Sequence, residues 1–328
     1  MRMKDRELTA DQAPPPLAQC APAVLMVRPA AFGWNAETSE SNRFQARTAP
    51  DQPETAAAAL AEFDRAVGAL RDAGVTVHVV EDQPELQCPD AVFPNNWVSF
   101  HHDGSVVLYP MLSPIRRRER RPDLLQTLVR EGGYSIDRVL DLTHHELEGR
   151  FLEGTGSVVF DHAARIAYAC RSPRTHSQVL DELASALGYE VCVFGATGRD
   201  GTPIYHTNVL LAIGERFAVV CSPSIDAGDR TRTLHRLAAG GRTVVEIDFA
   251  ALEAFAGNML ELKAADGAGV LAMSAQARAG LAAHQFVALA SCLDRIVVAP
   301  LPNIELAGGG SVRCMLAEVF LPACRPGR

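Results

Sequence analysis

Cys314 stands in the run Ser311-Val312-Arg313-Cys314-Met315, directly after Gly308-Gly309-Gly310. A cysteine attacks only as its thiolate, so chemistry at Cys314 requires a base or a cation nearby in space. His206, in Tyr205-His206-Thr207-Asn208, and Glu153, in Phe151-Leu152-Glu153-Gly154-Thr155-Gly156, supply the side-chain types that meet this need. An imidazole delivers a proton to a leaving amine and then activates water, and a fixed carboxylate stabilises the imidazolium. A further polar run, Asp90-Ala91-Val92-Phe93-Pro94-Asn95-Asn96-Trp97, stands upstream. Each run leads into an apolar stretch that reads as a strand. Polar groups at such places cost free energy unless partnered, so the pattern points to one composite site and to an enzyme with a thiolate nucleophile.

The elements that must bring these residues together repeat along the chain. Each unit runs hairpin, Ser-Pro or Ser turn, helix, strand. Asp103-Gly104 between Trp97–Phe100 and Ser105–Tyr109 is a hairpin signal. Ser113-Pro114 follows, then Leu124, Leu125, Leu128 and Val129 at helical spacing, then a strand over Ile136–Leu142. Comparable units follow through Ser157–Phe194, Asn208–Ile247 and Met259–Ala299, the last with one long Ala-rich helix. A fifth unit is split between the chain ends: Cys314–Leu321 supplies a strand that pairs with Val24–Arg28, followed by a helix through Leu60, Phe63, Val67 and Leu70 and a strand over Val75–Val80. The expectation is an α/β fold of five ββαβ units around a pseudo-fivefold axis, closing a ring without free sheet edges.

The succession resembles the guanidino-group-modifying superfamily, the five-bladed α/β propellers also called penteins, which include arginine deiminases, dimethylarginine hydrolases, amidinotransferases and succinylarginine dihydrolases. The likeness rests on Leu152-Glu153-Gly154, on His206 followed by Asn208, and on the Gly-rich approach to Cys314, and spans roughly residues 22–325. Runs such as Val27-Arg28-Pro29-Ala30 and Phe93-Pro94-Asn95-Asn96-Trp97 are similar to those of bacterial citrulline-utilisation hydrolases. The resemblance implies Cys314 as nucleophile, His206 as general acid and base, and Glu153 as the orienting carboxylate. It implies that Asp90, Asn95, Asn96 and Asn208 bind substrate, with Arg174 on its α-carboxylate. In arginine deiminases the places matching Asn96 and Asn208 hold Asp, which grips a cationic guanidinium by charge-assisted bonds. Amides offer both a donor and an acceptor, as a neutral ureido group does.

The reaction thus expected is hydrolysis of a ureido C–N bond, citrulline giving ornithine, ammonia and carbon dioxide, with no metal or organic cofactor. The alternatives are an arginine deiminase or dimethylarginine hydrolase, an amidinotransferase, and a non-catalytic pentein binding module.

The 328 residues, 48% apolar, suffice for a large core, and the net charge of −8 argues against a nucleic-acid partner. The basic run Arg116-Arg117-Arg118 and Arg120-Arg121 reads as a solvated helix start. Eight scattered cysteines without Cys-x-x-Cys spacing read as buried thiols in a reducing compartment. His144-His145-Glu146 reads as a solvated loop without companion metal ligands, and His101-His102 as a hairpin rim. No stretch reaches a membrane-spanning length of apolar residues, so a cytoplasmic protein acting on a small amino acid is expected. A homo-oligomer is compatible with the sequence. Residues 1–21 read as a floppy extension and 22–328 as a single catalytic domain.

Overall fold

The computed structural model describes residues 16–46 and 53–324. Strand β1 (Ala23–Arg28) leads through the helix Pro53–Asp72 to β2 (Thr76–Glu81), which pairs parallel to it. A parallel pair needs such a crossover, and the helix supplies it. β3 (Val98–Phe100) and β4 (Ser105–Leu108) form an antiparallel hairpin, and β5 (Arg138–Asp141) adds parallel to β4 after the helix Pro122–Arg130. The hairpin turns at Gly104, whose φ of +77° suits glycine.

The same connectivity recurs three more times. β6 (Val158–Asp161), β7 (Ile166–Cys170) and β8 (Glu190–Phe194) enclose the helix Ser177–Leu187. β9 (Leu211–Ile213), β10 (Phe217–Val220) and β11 (Thr243–Glu246) enclose Ala227–Ala238. β12 (Leu260–Lys263), β13 (Gly269–Ser274) and β14 (Arg295–Ala299) complete the next unit. Finally β15 (Ala317–Val319) pairs antiparallel with β1, Ala23 opposite Val319, so the two chain ends finish the unit begun by β1 and β2.

The first two strands of each hairpin unit are almost wholly buried, whereas β5, β8, β11 and β14 are half exposed. The helices lay apolar stripes on the strands, some of them on a neighbouring unit, as Ala283–Ala290 does on β11. Val179, Leu180, Leu183 and Leu187, for example, recur at the i, i+1, i+4, i+8 spacing that puts them on one face, and all are buried. Burying each is worth roughly 1.5–3 kcal/mol. No helix among the described residues is long and apolar enough to cross a membrane.

Several expectations are corrected. The first and last units are not separate sheets: the parallel pair Val319–Phe100 joins them into one six-stranded sheet, order β2-β1-β15-β3-β4-β5. The long Ala-rich helix is two, Ala275–Gly280 and Ala283–Ala290. Gly280 lacks side-chain support for a helix and packs so close to Ala254 that a Cβ would come within 2.5 Å of its Cβ. The side chain of Gln285 accepts the Ala282 N–H at 2.9 Å, which starts the second helix afresh. The N-terminal extension ends earlier than residue 21. Gln19 donates to Phe160 O at 3.0 Å and accepts from His162 N at 2.9 Å, and Cys20 and Ala21 are buried. Residues 1–15 of that extension lie outside the described residues.

Candidate active site

Each polar run sits in a tight turn just ahead of its first strand. Pro94–Asn96, Thr207–Val209 and Val312–Met315 are single 3-10 turns, and Gly154–Ser157 is one helical turn. Cys314 therefore does not open a strand, as the sequence suggested, but lies in the turn before β15. A short helix follows Glu153, which occupies its N-cap position without capping it. The carboxylate is turned elsewhere, and the glycines after it let neighbouring segments of the chain close in. A Cβ on Gly154 would sit 2.2 Å from Asn95 O, and one on Gly156 would sit 2.5 Å from Asn96 Nδ2 and 2.7 Å from His206 Nδ1.

Glu153 is fully buried. Its Oε2 accepts from His206 Nε2 at 2.8 Å and Arg174 NH1 at 3.0 Å, and its Oε1 from Leu112 N at 3.1 Å. Burial alone would raise this carboxyl, but the Arg174 guanidinium and the His206 bond outweigh it and hold it below the usual carboxylate range. Burial pushes His206 down to about 4, against the opposing pull of Glu153. At neutral pH the ring is thus uncharged. Facing an ionised Glu153, it carries its proton on Nε2 and keeps a lone pair on Nδ1.

The Cys314 sulfur is approached by two amides, Asn208 Nδ2 at 3.5 Å and Asn258 Nδ2 at 3.2 Å. Among the described residues no hydrogen bond joins it to His206. The sulfur and the imidazole instead line one narrow cavity of about 20 Å3, the space of about one water-sized group. Asp90, Asn96, Arg116, Arg174, Tyr205 and the Gly308-Gly309-Gly310 backbone line it with them. The glycines permit close approach there, since a Cβ on Gly310 would sit 2.9 Å from the Phe93 ring.

Asp90 Oδ2 accepts from Asn35 Nδ2 at 2.8 Å and Thr38 Oγ1 at 3.3 Å, and burial raises its carboxyl despite Arg116. Its Oδ1 is buried without a hydrogen-bond partner among the described residues. Asn96 Oδ1 accepts from Arg116 NH1 at 2.8 Å. Arginine only donates, so the amide orientation is fixed. Asn96 Nδ2 is left buried with no hydrogen-bond partner among the described residues.

Two expected substrate ligands are placed otherwise. Asn95 turns away, donating to Thr155 Oγ1 at 3.2 Å, and Asn208 lies against the sulfur rather than in the cavity wall. Both brace neighbouring turns, a use open to any Asn in a turn. Arg174 is buried. It also donates to Thr38 O at 3.1 Å and Ser41 Oγ at 2.5 Å.

Arg116 was missed. It is not solvated but 2% exposed, held bidentately by Glu119 at 2.8 and 2.9 Å, with Glu119 pushed up to about 7 by burial. Glu119, which broke the basic run in the sequence, was the signal. Thr38, Tyr205 and Asn258 carried no sequence signal.

The other polar clusters lie outside the cavity. His144, His145 and Glu182 come close enough to hold a cation, with His145 Nε2 2.9 Å from Glu182, and so do Cys20, Glu215 and Glu261. His145 is buried rather than in a solvated loop, and Glu182 is a companion that only the fold brings near. His101 is likewise buried, its Nε2 2.7 Å from Ser99 Oγ, because the hairpin rim packs inward onto Phe160.

A family model for N,N dimethylarginine dimethylhydrolases, the eukaryotic form, matches residues 28–321. No curated protein matches the chain in sequence. Among solved structures, ArgZ, an arginine dihydrolase from the ornithine-ammonia cycle in cyanobacteria, superposes with a TM-score of 0.70 at 18% identity over 93% of this chain. The chain spans 41% of the length of that protein. The N-terminal domain of ArgZ bound to substrate gives 0.69 at 17% identity, covering 92% of this chain and 98% of the domain. A dimethylarginine dimethylaminohydrolase in adduct with S-methyl-L-thiocitrulline gives 0.61 at 14% identity, covering 90% of this chain and 98% of that one. At these identities the superpositions establish a shared α/β fold.

Proposed function

The chain belongs to the N,N dimethylarginine dimethylhydrolase family, within the guanidino-modifying pentein superfamily, and on that footing we propose that it hydrolyses a C–N bond at the terminal carbon of an arginine-derived side chain through a covalent intermediate on Cys314. One observation carries this reading: Cys314 and a neutral His206 held by Glu153 line the same small cavity, with no direct bond between sulfur and ring. A reacting carbon bound in that cavity would meet nucleophile and base together. We propose further that the five strand units are blades of a closed five-bladed propeller, each lending a turn to the site. Asp90 and Asn96 come from one, Glu153 and Arg174 from the next, then His206, Asn258 and Cys314.

The preferred substrate in this reading is a ureido amino acid, citrulline. Asn96 supports it. Its amide is locked by Arg116 with an unpaired N–H donor left over. A guanidinium offers no acceptor for that donor, whereas a ureido carbonyl does. Asp90 Oδ1 supplies a complementary acceptor for a substrate N–H, and Arg174, in the same cavity lining, is the residue proposed for the α-carboxylate.

In the first half-reaction the Cys314 thiolate bonds to the ureido carbon. The thiol proton travels by way of His206 Nδ1 to the terminal nitrogen, Glu153 stabilising the imidazolium meanwhile, and the C–N bond breaks to release ammonia. Water then gives a proton to His206 and adds to the thiocarbamate carbon. The C–S bond breaks, the departing sulfur takes back the proton from His206, and the carbamic acid loses carbon dioxide to leave ornithine.

A second reading, hydrolysis of a guanidino group, is favoured by the family model and by the carboxyl group of Asp90 in the cavity lining. Citrulline, arginine and asymmetric dimethylarginine offered separately, with ammonia, amine and ornithine measured, decide between them. Ornithine and ammonia from citrulline is the expected result. Release from arginine or dimethylarginine with none from citrulline would establish the guanidino reading instead.

A further inference from the structure

We propose that Asn258 is a further catalytic residue, which holds the Cys314 sulfur in place and stabilises its thiolate through an amide N–H. The inference rests on Cys314 being the nucleophile. Asn258 lies in the turn before β12 and is 1% exposed. Its Oδ1 accepts the backbone N–H of Arg313 at 3.1 Å, a donor that cannot be reversed, so the amide has one orientation. Its Nδ2 then points at the carbonyl of Asn208, at 3.0 Å, and at Cys314 Sγ, at 3.2 Å. The turn itself is pinned. Asn258 N donates to Phe255 O at 2.8 Å, and Gly257 packs where a Cβ would meet Val209 O at 2.3 Å.

Nothing charged replaces this contact. His206, Asp90, Arg116 and Arg174, with Tyr205, face the sulfur across the cavity, and none is hydrogen-bonded to it among the described residues. The Arg313 guanidinium turns the other way, to Leu316 O and Glu318. An anionic sulfur therefore relies on the amides of Asn258 and Asn208, and hydrogen bonds to a charged group are the strong kind. Asn258 also couples the two turns, since one end fixes the residue before Cys314 and the other the residue two after His206.

The test is alkylation of Cys314 by iodoacetamide as a function of pH, read by peptide mass in Asn258→Asp and Asn258→Ala. Cys170 and Cys221, both buried, report in the same digest whether the fold is intact. The expected result is that the alkylation midpoint at Cys314 rises by about one pH unit or more in both variants while Cys170 and Cys221 stay protected. That rise corresponds to about a tenfold loss of thiolate at fixed pH. An unchanged midpoint in either protected variant would overturn the role. Alkylation needs no substrate, so this failure is separate from failure of the hydrolase reading, which would appear as undiminished turnover by Cys314→Ala.

Discussion

Glu153 Oε2 stands 2.8 Å from His206 Nε2, and the same oxygen is 3.0 Å from Arg174 NH1. One buried carboxylate thus sets the tautomer of the imidazole and balances a buried guanidinium. Glu153→Gln keeps the volume and loses both services. Turnover is expected to fall at least about a hundredfold, and stability by about 3 kcal/mol because Arg174 is left buried without its counter-charge. Steady-state rates and urea unfolding check the two effects separately.

Asn96 presents an N–H to the cavity only because Arg116 holds its oxygen. Asn96→Asp replaces that donor with an acceptor. The ratio of citrulline to arginine turnover is expected to drop about tenfold or more, the scale of a lost hydrogen bond to a reacting group. An unchanged ratio would remove Asn96 from substrate selection.

Gly156 lies where a Cβ would come within 2.5 Å of Asn96 Nδ2 and 2.7 Å of His206 Nδ1. Gly156→Ala is expected to cut kcat about tenfold or more by displacing one of them. Gly228→Ala, in the helix Ala227–Ala238 with open space around it, is expected to leave kcat unchanged and stability equal or slightly higher.

His101 and His206 are held down to about 4 by burial, and His162 is pushed down for the same reason. Their unfolded counterparts titrate near 6.5. Between about pH 6.5 and 4 the unfolded chain therefore binds more protons, so stability falls as pH falls, by up to about 1.4 kcal/mol per pH unit for each histidine. Glu153, depressed below the carboxylate range, adds its own loss only at lower pH. Urea midpoints at pH 7.5, 6 and 5 measure the slope. His101→Gln, outside the cavity, is expected to flatten it, and an unaltered slope would rule the histidine out as its source.

The repeat was legible because its signals are local: Asp103-Gly104 turns a hairpin, and an apolar stripe such as Val179, Leu180, Leu183 and Leu187 needs only helical spacing. Cys314, His206, Glu153, Asp90 and Asn96 were legible as polar residues at the mouths of apolar runs, and Arg174 only through the family resemblance. The structure brings them around one cavity, except that Glu153 stands behind His206. What escaped depends on long-range packing. Arg116 looked like surface charge until Glu119, Asp90 and Asn96 closed on it. Asn258 has no flanking motif and matters only through the turn that packs on Val209 and Arg313. The sulfur-facing place of Asn208 likewise follows from the fold, not from its neighbours in sequence.

The most direct measurement is an acid quench of the protein during turnover of citrulline, followed by peptide mapping. A thiocarbamate adduct on the Cys314 peptide, absent from the other cysteine peptides, is expected, together with loss of ornithine release in Cys314→Ala. Ornithine released at an undiminished rate by Cys314→Ala, with no adduct on the native protein, would contradict a covalent role for this sulfur.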